Sequence, residues 1–278
     1  MTNTAVARRS ARERVGATGG KLADPVRSAG MGVDQTMALR PVHSLRKRLA
    51  KLRRFPSIGY RDGAPLILDP RNWIDNRLLA GAPYENAQLA FVRGEIERRG
   101  LSQVVDIGAN IGLYTVLLGR EAAVTAVHAF EPVRRNYNQL LGNVFANRLD
   151  MKVTAHRFGL GDETHEVVIH VDPTSTGVSR LDLTTTARNL SVFTEQETIQ
   201  VRRLDDVLSL DGETIFVKID VEGMAEAVLR GMSRLLDRTA GLLQVEISEA
   251  EQGAVARLEG HGWRFVKRIE GDQYFTKE

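Results

Sequence analysis

The residues of this chain best suited to chemistry lie in a glycine-rich stretch that directly follows an apolar run. Asp106 closes the run, and Gly108, Asn110 and Gly112 come next, before a helical pattern that begins at Leu113. Glycine lets the backbone approach a ligand closely, and a helix N-terminus offers free N–H groups at the positive end of its dipole. The stretch therefore predicts a nucleotide-type pocket.

The spacing of the glycines indicates which kind of nucleotide this loop suits. A dinucleotide fingerprint needs glycine at the first, third and sixth places, which hold Gly108, Asn110 and Leu113 here. The loop is thus a poor cradle for a pyrophosphate. It suits a nucleoside with an amino-acid tail, whose ammonium group favours nearby acids and carbonyls.

A second acid, Glu131, ends the next apolar run, 23 residues after Gly108. A carboxylate there can accept hydrogen bonds from both ribose hydroxyls, each worth roughly 1.5–3 kcal/mol. Pro132 would stiffen the exit from the strand. Glu131 alone could also be an acid near a helix N-terminus, but its distance from Asp106 and Gly108 favours the ligand interpretation.

Three further acids follow later apolar runs. Asp162 could meet the edge of an adenine or simply occupy a turn. Asp220 and Glu222 follow the run 214–219, and an extended backbone would place both side chains on one side. They could act as a general base, bind a metal or hold an ammonium group, and one could cap the next helix. Glu246 adds another acid near the same edge.

These residues are positioned by a repeated alternation of strand and helix patterns. The near-continuous apolar strands are typical of a parallel sheet, so we predict an α/β fold: a doubly wound Rossmann-like sheet with a small β insertion and a terminal antiparallel hairpin. Ligands of such sheets bind at the carboxyl ends of the strands. The predicted main strands are 103–107, 124–130, 151–158, 214–219 and 242–247, the insertion strands 166–171 and 198–202, and the hairpin strands 263–269 and 273–276. The predicted helices are 85–99, 113–121, 134–146, 225–238 and 249–261.

Charge separates the N-terminal segment from the rest of the chain. Residues 1–56 hold 13 Lys or Arg and 3 Asp or Glu, a net charge of +10, whereas the remainder carries −7. We interpret residues 1–56 as a basic, largely disordered arm with a short helix, 57–100 as a helical cap, and 101–278 as the catalytic domain. The segments 57–85 and 172–197 are predicted to line the site of a second substrate.

Composition excludes several classes of protein. The chain has no cysteine, so it has neither disulfides nor thiolate metal sites. It has no run of about 18 apolar residues and no signal-peptide pattern, so we expect a cytoplasmic protein without membrane insertion. The early basic residues are not interleaved with aromatic ones, which argues against base stacking. We therefore expect no nucleic-acid partner.

The motifs together resemble the FkbM family of S-adenosylmethionine-dependent methyltransferases. The resemblance covers residues 80–276 and is most specific in Asp-Ile-Gly-Ala-Asn-Ile-Gly at 106–112 and Val-Lys-Ile-Asp-Val-Glu-Gly at 217–223. It implies a seven-stranded methyltransferase sheet and O-methylation of a hydroxyl, often on a sugar or a natural product. No metal ligand is assigned. The residues predicted to bind S-adenosyl-L-methionine are Asp106, Gly108, Ala109, Asn110, Gly112, Tyr114, Glu131, Pro132 and Asp162.

The resemblance also implies that Asp220 and Glu222 face the methyl donor and the hydroxyl acceptor, a small molecule. Asp220 is the first candidate for a base and Glu222 the second. Two other functions stay open at this point. One is an NAD-dependent oxidoreductase, which the broken glycine fingerprint disfavours. The other is a non-catalytic protein that reaches nucleic acid through its basic arm. Within the methyltransferases, RNA or a protein also stays open as the acceptor.

Overall fold

A computed structural model describes residues 55–181, 189–248, 251 and 253–278. The described residues lie in one compact unit, Leu39–Glu278. The basic arm and its short helix, predicted for residues 1–56, fall almost entirely outside the described residues. None of the helices in these ranges is long and apolar enough to cross a membrane.

The centre of the molecule is a seven-stranded sheet. The strands are β3 (Gln103–Ile107), β4 (Ala126–Phe130), β5 (Val153–His156), β9 (Thr214–Ile219), β10 (Ala240–Glu246), β11 (Arg264–Ile269) and β12 (Asp272–Lys277). Their order across the sheet is β5-β4-β3-β9-β10-β12-β11. Neighbours from β5 to β10 run parallel, and β12 runs antiparallel to both β10 and β11. This topology confirms the predicted Rossmann-like sheet with its terminal hairpin.

Helices cover both faces of this sheet because alternate strand residues point to opposite sides. In β3, Val104 packs into the core on one face and Val105 into the core on the other. The first layer contains α2 (Asn86–Arg99), α3 (Leu113–Gly119) and α4 (Arg134–Ala146), and the second contains α5 (Ala225–Gly231), α6 (Ser233–Arg238) and α7 (Gly253–Gly260). The sheet is therefore doubly wound.

A second, three-stranded sheet forms the predicted β insertion. It contains β6 (Gly159–Leu160), β7 (His165–Val171) and β8 (Glu195–Arg202), in the order β6-β8-β7. β7 and β8 pair antiparallel, as predicted. The strand predicted for 151–158 is present but shorter, as β5, because the chain leaves the main sheet after His156 and then enters the small sheet at Gly159.

The segment before the sheet contains more β structure than its sequence suggested. β1 (Ser57–Arg61) and β2 (Ala64–Leu68) form a hairpin within the segment 57–100 that was predicted as a helical cap. The turn residues Asp62 and Gly63 have φ angles of 49° and 74°, as in the type I′ turns that favour Asp-Gly. A short helix, α1 (Trp73–Leu79), follows.

The helix predicted for 225–238 is divided into α5 and α6 at Met232. The Asp205 carboxylate accepts hydrogen bonds from the N–H groups of Arg234 and Leu235, at 2.9 and 3.0 Å. It therefore satisfies free donors at the start of a new helix. The new helix thus begins at a contact with Asp205, which lies 29 positions before Arg234 in the chain. Helical periodicity does not reveal such a contact.

Candidate active site

A cavity of about 940 Å³ opens at the carboxyl ends of β3, β4, β9 and β10. This is the edge of the sheet that the sequence predicted for the ligand. Of the predicted site residues, six lie on its wall: Gly108, Asn110, Glu131, Pro132, Asp220 and Glu222. The other walls come from residues 71–88, the small sheet and residues 172–181, so both segments predicted to line a second substrate site contribute.

The glycine loop between β3 and α3 turns tightly beneath this cavity. The N–H groups of Gly108 and Ala109 both donate to the Phe130 carbonyl, at 3.0 Å. Gly108 has a φ of 79°, and a Cβ there would lie 1.9 Å from the carbonyl oxygen of Asp220. Only glycine allows this approach, so the loop can lie directly against the end of β9.

Glu131 occupies a buried position at the end of β4, beside this loop. Its carboxylate accepts hydrogen bonds from the N–H groups of Asn110 and Val133, both at 2.9 Å. Burial raises the pKa of Glu131 to about 7 in spite of these donors. The Asn136 side chain donates a third, longer hydrogen bond at 3.4 Å. Two carboxylate oxygens offer about four acceptor positions, so a ribose diol can be bound when it displaces this longest bond.

Asp106, in contrast, faces the start of α3. One of its carboxylate oxygens accepts from the Thr115 N–H at 3.0 Å and from the Thr115 hydroxyl at 2.6 Å, and the other is buried without a partner. Asp106, Ala109 and Tyr114 line a small pocket of about 30 Å³ and not the main cavity. Gly112 lines neither, because it packs against Leu140 of α4. A direct cofactor role for these four residues stays a prediction.

A buried lysine organises the acids at the end of β9. Lys218 lies beside Asp106 in the parallel register, and its ammonium group is 2.7 Å from the Asp220 carboxylate. Burial alone would raise the pKa of Asp220, but the Lys218 ammonium outweighs burial and lowers it. Glu85 also faces Lys218, and burial raises the pKa of Glu85, one of whose oxygens has no hydrogen-bond partner. No role was predicted from the sequence for Lys218 or Glu85.

Glu222 and Glu246 complete this acidic end of the cavity. Glu222 forms an ion pair with Arg180, which reaches it from the segment between β7 and β8. Burial, followed by the charge of Asp220, raises the pKa of Glu246 to about 8. Asp220 therefore favours its charged form, whereas Glu246 favours its protonated form.

Asp162 lies outside the cavity wall. Its carboxylate pairs with Arg230 of α5 at 2.9 Å, and this hydrogen bond lowers the pKa of Asp162. Contact with an adenine would require the pair to open. Gly159 and Leu160, two and three residues earlier, do lie on the wall. The adenine role of Asp162 stays a prediction without structural support.

The N-terminal segment and the insertion meet over the cavity. The Asn72 side chain donates to the Thr176 hydroxyl at 2.6 Å, and the Trp73 N–H donates to the Thr174 carbonyl at 2.9 Å. Arg77 packs over the rings of Trp73 and Tyr84, at 5.0 and 6.0 Å. These contacts place aromatic and hydrogen-bonding groups on the wall of the cavity.

The donor set fits S-adenosylmethionine, a cation carrying an ammonium and a sulfonium group. Glu131 offers acceptors for a ribose diol, and the buried oxygen of Glu85 has no protein partner. The excess of acids around Lys218 disfavours a pyrophosphate, which carries negative charge. The cavity therefore suits a cationic nucleoside better than a dinucleotide.

Comparison with known proteins points the same way. The family model described as the methyltransferase FkbM domain matches residues 106–269. "Methyltransferase 1" of Beauveria bassiana (strain ARSEF 2860) is 26% identical over 171 residues, which are 60% of this chain and 63% of that protein. "31-O-demethyl-FK506 methyltransferase FkbM" of Streptomyces tacrolimicus is 24% identical over 191 residues, 64% of this chain and 68% of that protein.

A solved structure, methyltransferase FkbM from Methylobacillus flagellatus KT, aligns with a TM-score of 0.44 and 19% identity. The alignment covers 87% of this chain and 60% of that one. The chain thus spans less than two thirds of the length of the Beauveria protein and of the Methylobacillus structure.

Proposed function

Because this chain belongs to the methyltransferase FkbM family, we propose that it transfers a methyl group from S-adenosylmethionine to a hydroxyl of a sugar or natural-product small molecule. One observation carries the proposal: a single cavity combines a buried carboxylate beside the glycine loop with an acidic end around Asp220. The first suits a ribose and the second suits a cation. The volume of about 940 Å³ leaves room for a second small molecule.

In this proposal the residues of the chain bind and orient, because the bound cofactor itself supplies an activated methyl and its leaving group. Glu131 accepts the ribose hydroxyls, with Gly108, Asn110 and Pro132 around it. The acids near Lys218 attract the ammonium group of the amino-acid tail. Asp220 and Glu222 face the methyl donor and the acceptor.

One relative and the cavity wall support a hydroxyl of a small molecule as the methyl acceptor. The name of the Streptomyces protein describes a methyltransferase of 31-O-demethyl-FK506, which supports a hydroxyl as the acceptor. The cavity wall also contains Asn72, Trp73, Thr174 and Thr176, groups that can stack on or hydrogen-bond a hydroxylated molecule. An acidic wall repels the phosphates of a nucleic acid, so a small molecule is the proposed partner.

Binding and transfer test the proposal separately. We expect calorimetry to show binding of S-adenosylmethionine and S-adenosylhomocysteine but not of NAD. Incubation with S-adenosylmethionine and a pool of sugars and hydroxylated natural products should then give a product heavier by one methylene, seen by mass spectrometry. Binding of NAD in place of S-adenosylmethionine would refute the cofactor, and methylation at nitrogen or carbon alone would refute the acceptor class.

A further inference from the structure

We propose that Glu246 and Asp220 share one proton, which the pair releases when the cationic cofactor binds, and that Glu246 then accepts the proton of the hydroxyl acceptor. This inference rests on the proposed function and assigns a residue to proton transfer. Both carboxyl groups line the main cavity. The pair is therefore open to a ligand there.

The backbone register places the two residues side by side. Val245 of β10 pairs with Ile219 of β9, so Glu246 and Asp220, the residues that follow, are neighbours at the carboxyl ends of parallel strands. The two carboxyl groups interact directly, and this interaction lowers the pKa of Asp220 and raises that of Glu246. Two carboxyl groups in contact are held together by a hydrogen bond when one of them carries a proton.

The surrounding charges determine which carboxyl holds this proton. Lys218 lies 2.7 Å from the Asp220 carboxylate and keeps it ionised. Glu246 instead faces acids on two elements, Asp220 and Glu222 after β9 and Asp272 on β12. Burial and these acids raise the pKa of Glu246 to about 8, so Glu246 is mostly protonated at neutral pH.

Arg180 is a second cation near this end of the cavity, and its guanidinium is paired with Glu222. A cation that enters the cavity stabilises the ionised form of Glu246 and lowers its pKa. The proton then leaves to solvent, and a carboxylate remains beside the acceptor.

The transfer step then balances within the site. The acceptor oxygen bonds to the methyl carbon as the carbon–sulfur bond breaks, and the electron pair of that bond stays on sulfur. The hydroxyl proton passes to the Glu246 carboxylate, which restores the protonated pair. Asp220 keeps its charge throughout, because Lys218 holds it.

Proton release on binding is measured by calorimetry at pH 7.0 in buffers with different heats of ionisation. We expect S-adenosylmethionine to release up to about one more proton per site from the wild type than from Glu246→Gln. S-adenosylhomocysteine has the same amino-acid tail but no sulfonium charge, so it should release fewer protons from the wild type. The difference between the wild type and Glu246→Gln with the same ligand cancels the contribution of the ligand's own amine.

The matched control is Glu270→Gln, which removes a carboxylate from the same cavity wall and should leave proton release at the wild-type level. Equal release from the wild type and Glu246→Gln, or equal release with the two ligands, would overturn the inference. If Glu246→Gln does not fold, the two-ligand comparison in the wild type decides alone. Absence of any S-adenosylmethionine binding would contradict the proposed function instead.

Turnover tests the role of Glu246 as a proton acceptor. With an acceptor identified by the screen described above, Glu246→Gln should lose roughly 10²–10⁴-fold in turnover while S-adenosylmethionine affinity changes little. Glu246→Asp should recover part of the rate because it restores a carboxylate. Wild-type turnover in Glu246→Gln would show that another group accepts the proton.

Discussion

Glu131 and Asp220 are two carboxyl groups at the ends of β4 and β9, the strands on either side of β3, and their surroundings give them opposite properties. Glu131 has no cationic partner among the described residues, and burial raises its pKa to about 7. Asp220 lies 2.7 Å from the Lys218 ammonium, which lowers its pKa despite burial. Asp220 is therefore a stable charge but a weak proton acceptor, whereas Glu131 is suited to holding hydroxyl groups.

The ribose assignment of Glu131 predicts a loss of cofactor affinity in Glu131→Ala. The variant lacks the acceptors for two hydroxyls, and we expect S-adenosylmethionine to bind roughly 10- to 100-fold more weakly by calorimetry. Glu163→Ala, which removes an exposed carboxylate, should bind like the wild type. An unchanged affinity in Glu131→Ala would remove Glu131 from the cofactor site.

The role of Asp220 predicts a different pattern in Asp220→Asn. Without this negative charge the pKa of Glu246 changes, and the Lys218 ammonium group loses the carboxylate that lies 2.7 Å from it. We expect turnover to fall by roughly 10²–10⁴-fold and S-adenosylmethionine affinity to fall far less. Turnover is measured with the acceptor found by screening, and S-adenosylmethionine affinity is measured by calorimetry. An equal loss in both would make Asp220 a cofactor ligand.

At the scale of elements, the glycine loop fixes how β3, β4 and β9 meet. The loop accepts no side chain at Gly108, because the Asp220 carbonyl lies where a Cβ would be. The same loop donates two N–H groups to the end of β4. The site is thus built where three parallel strands end together.

This packing predicts a large loss of stability in Gly108→Ala. Its φ of 79° is unfavourable for alanine, and the clash with the Asp220 carbonyl adds to that strain. We expect a loss of more than about 2 kcal/mol in the free energy of unfolding, measured with urea. Gly212→Ala is the matched control, because Gly212 has a φ of 80° with nothing within 4 Å of its Cβ position. Equal losses would show that backbone strain alone matters at Gly108.

At the scale of the whole molecule, the acids with raised pKa values couple stability to pH. A carboxyl group whose pKa is raised by folding binds more protons in the folded state, so its contribution is lost as pH rises through the folded pKa. Glu131, raised from 4.5 to about 7, and Glu246, raised to about 8, both act in this direction. The cofactor-free protein should therefore lose stability between pH 5 and pH 8 at these sites.

Glu131→Gln isolates one of these contributions. It removes the titrating group, so the fall in unfolding free energy from pH 5 to pH 8 should be smaller than in the wild type by about 2–3 kcal/mol. Urea unfolding at both pH values measures the difference, and Glu163→Gln should behave as the wild type does. A fall of equal size in Glu131→Gln would mean that Glu131 titrates normally in the folded protein.

Local patterns were sufficient for the parallel strands, the glycine loop and the acids at the strand ends. The strand 214–219 was predicted at its observed bounds, because a continuous apolar run closed by Asp220 has few alternative structures. The β1–β2 hairpin was missed although Asp62-Gly63 is a turn signal. The break at Met232 could not be predicted, because Asp205 causes it from another part of the chain.

The sequence by itself determined the class of fold, the family, and the edge of the sheet at which a ligand binds, since periodicity and motif spacing are local properties. Only the tertiary structure decided what each acid does there. It paired Asp220 with Lys218, Glu222 with Arg180 and Asp162 with Arg230, and it turned Asp106 toward Thr115. The acidity of a carboxyl group depends on burial and on charges that folding brings within a few ångströms, often from distant positions in the chain.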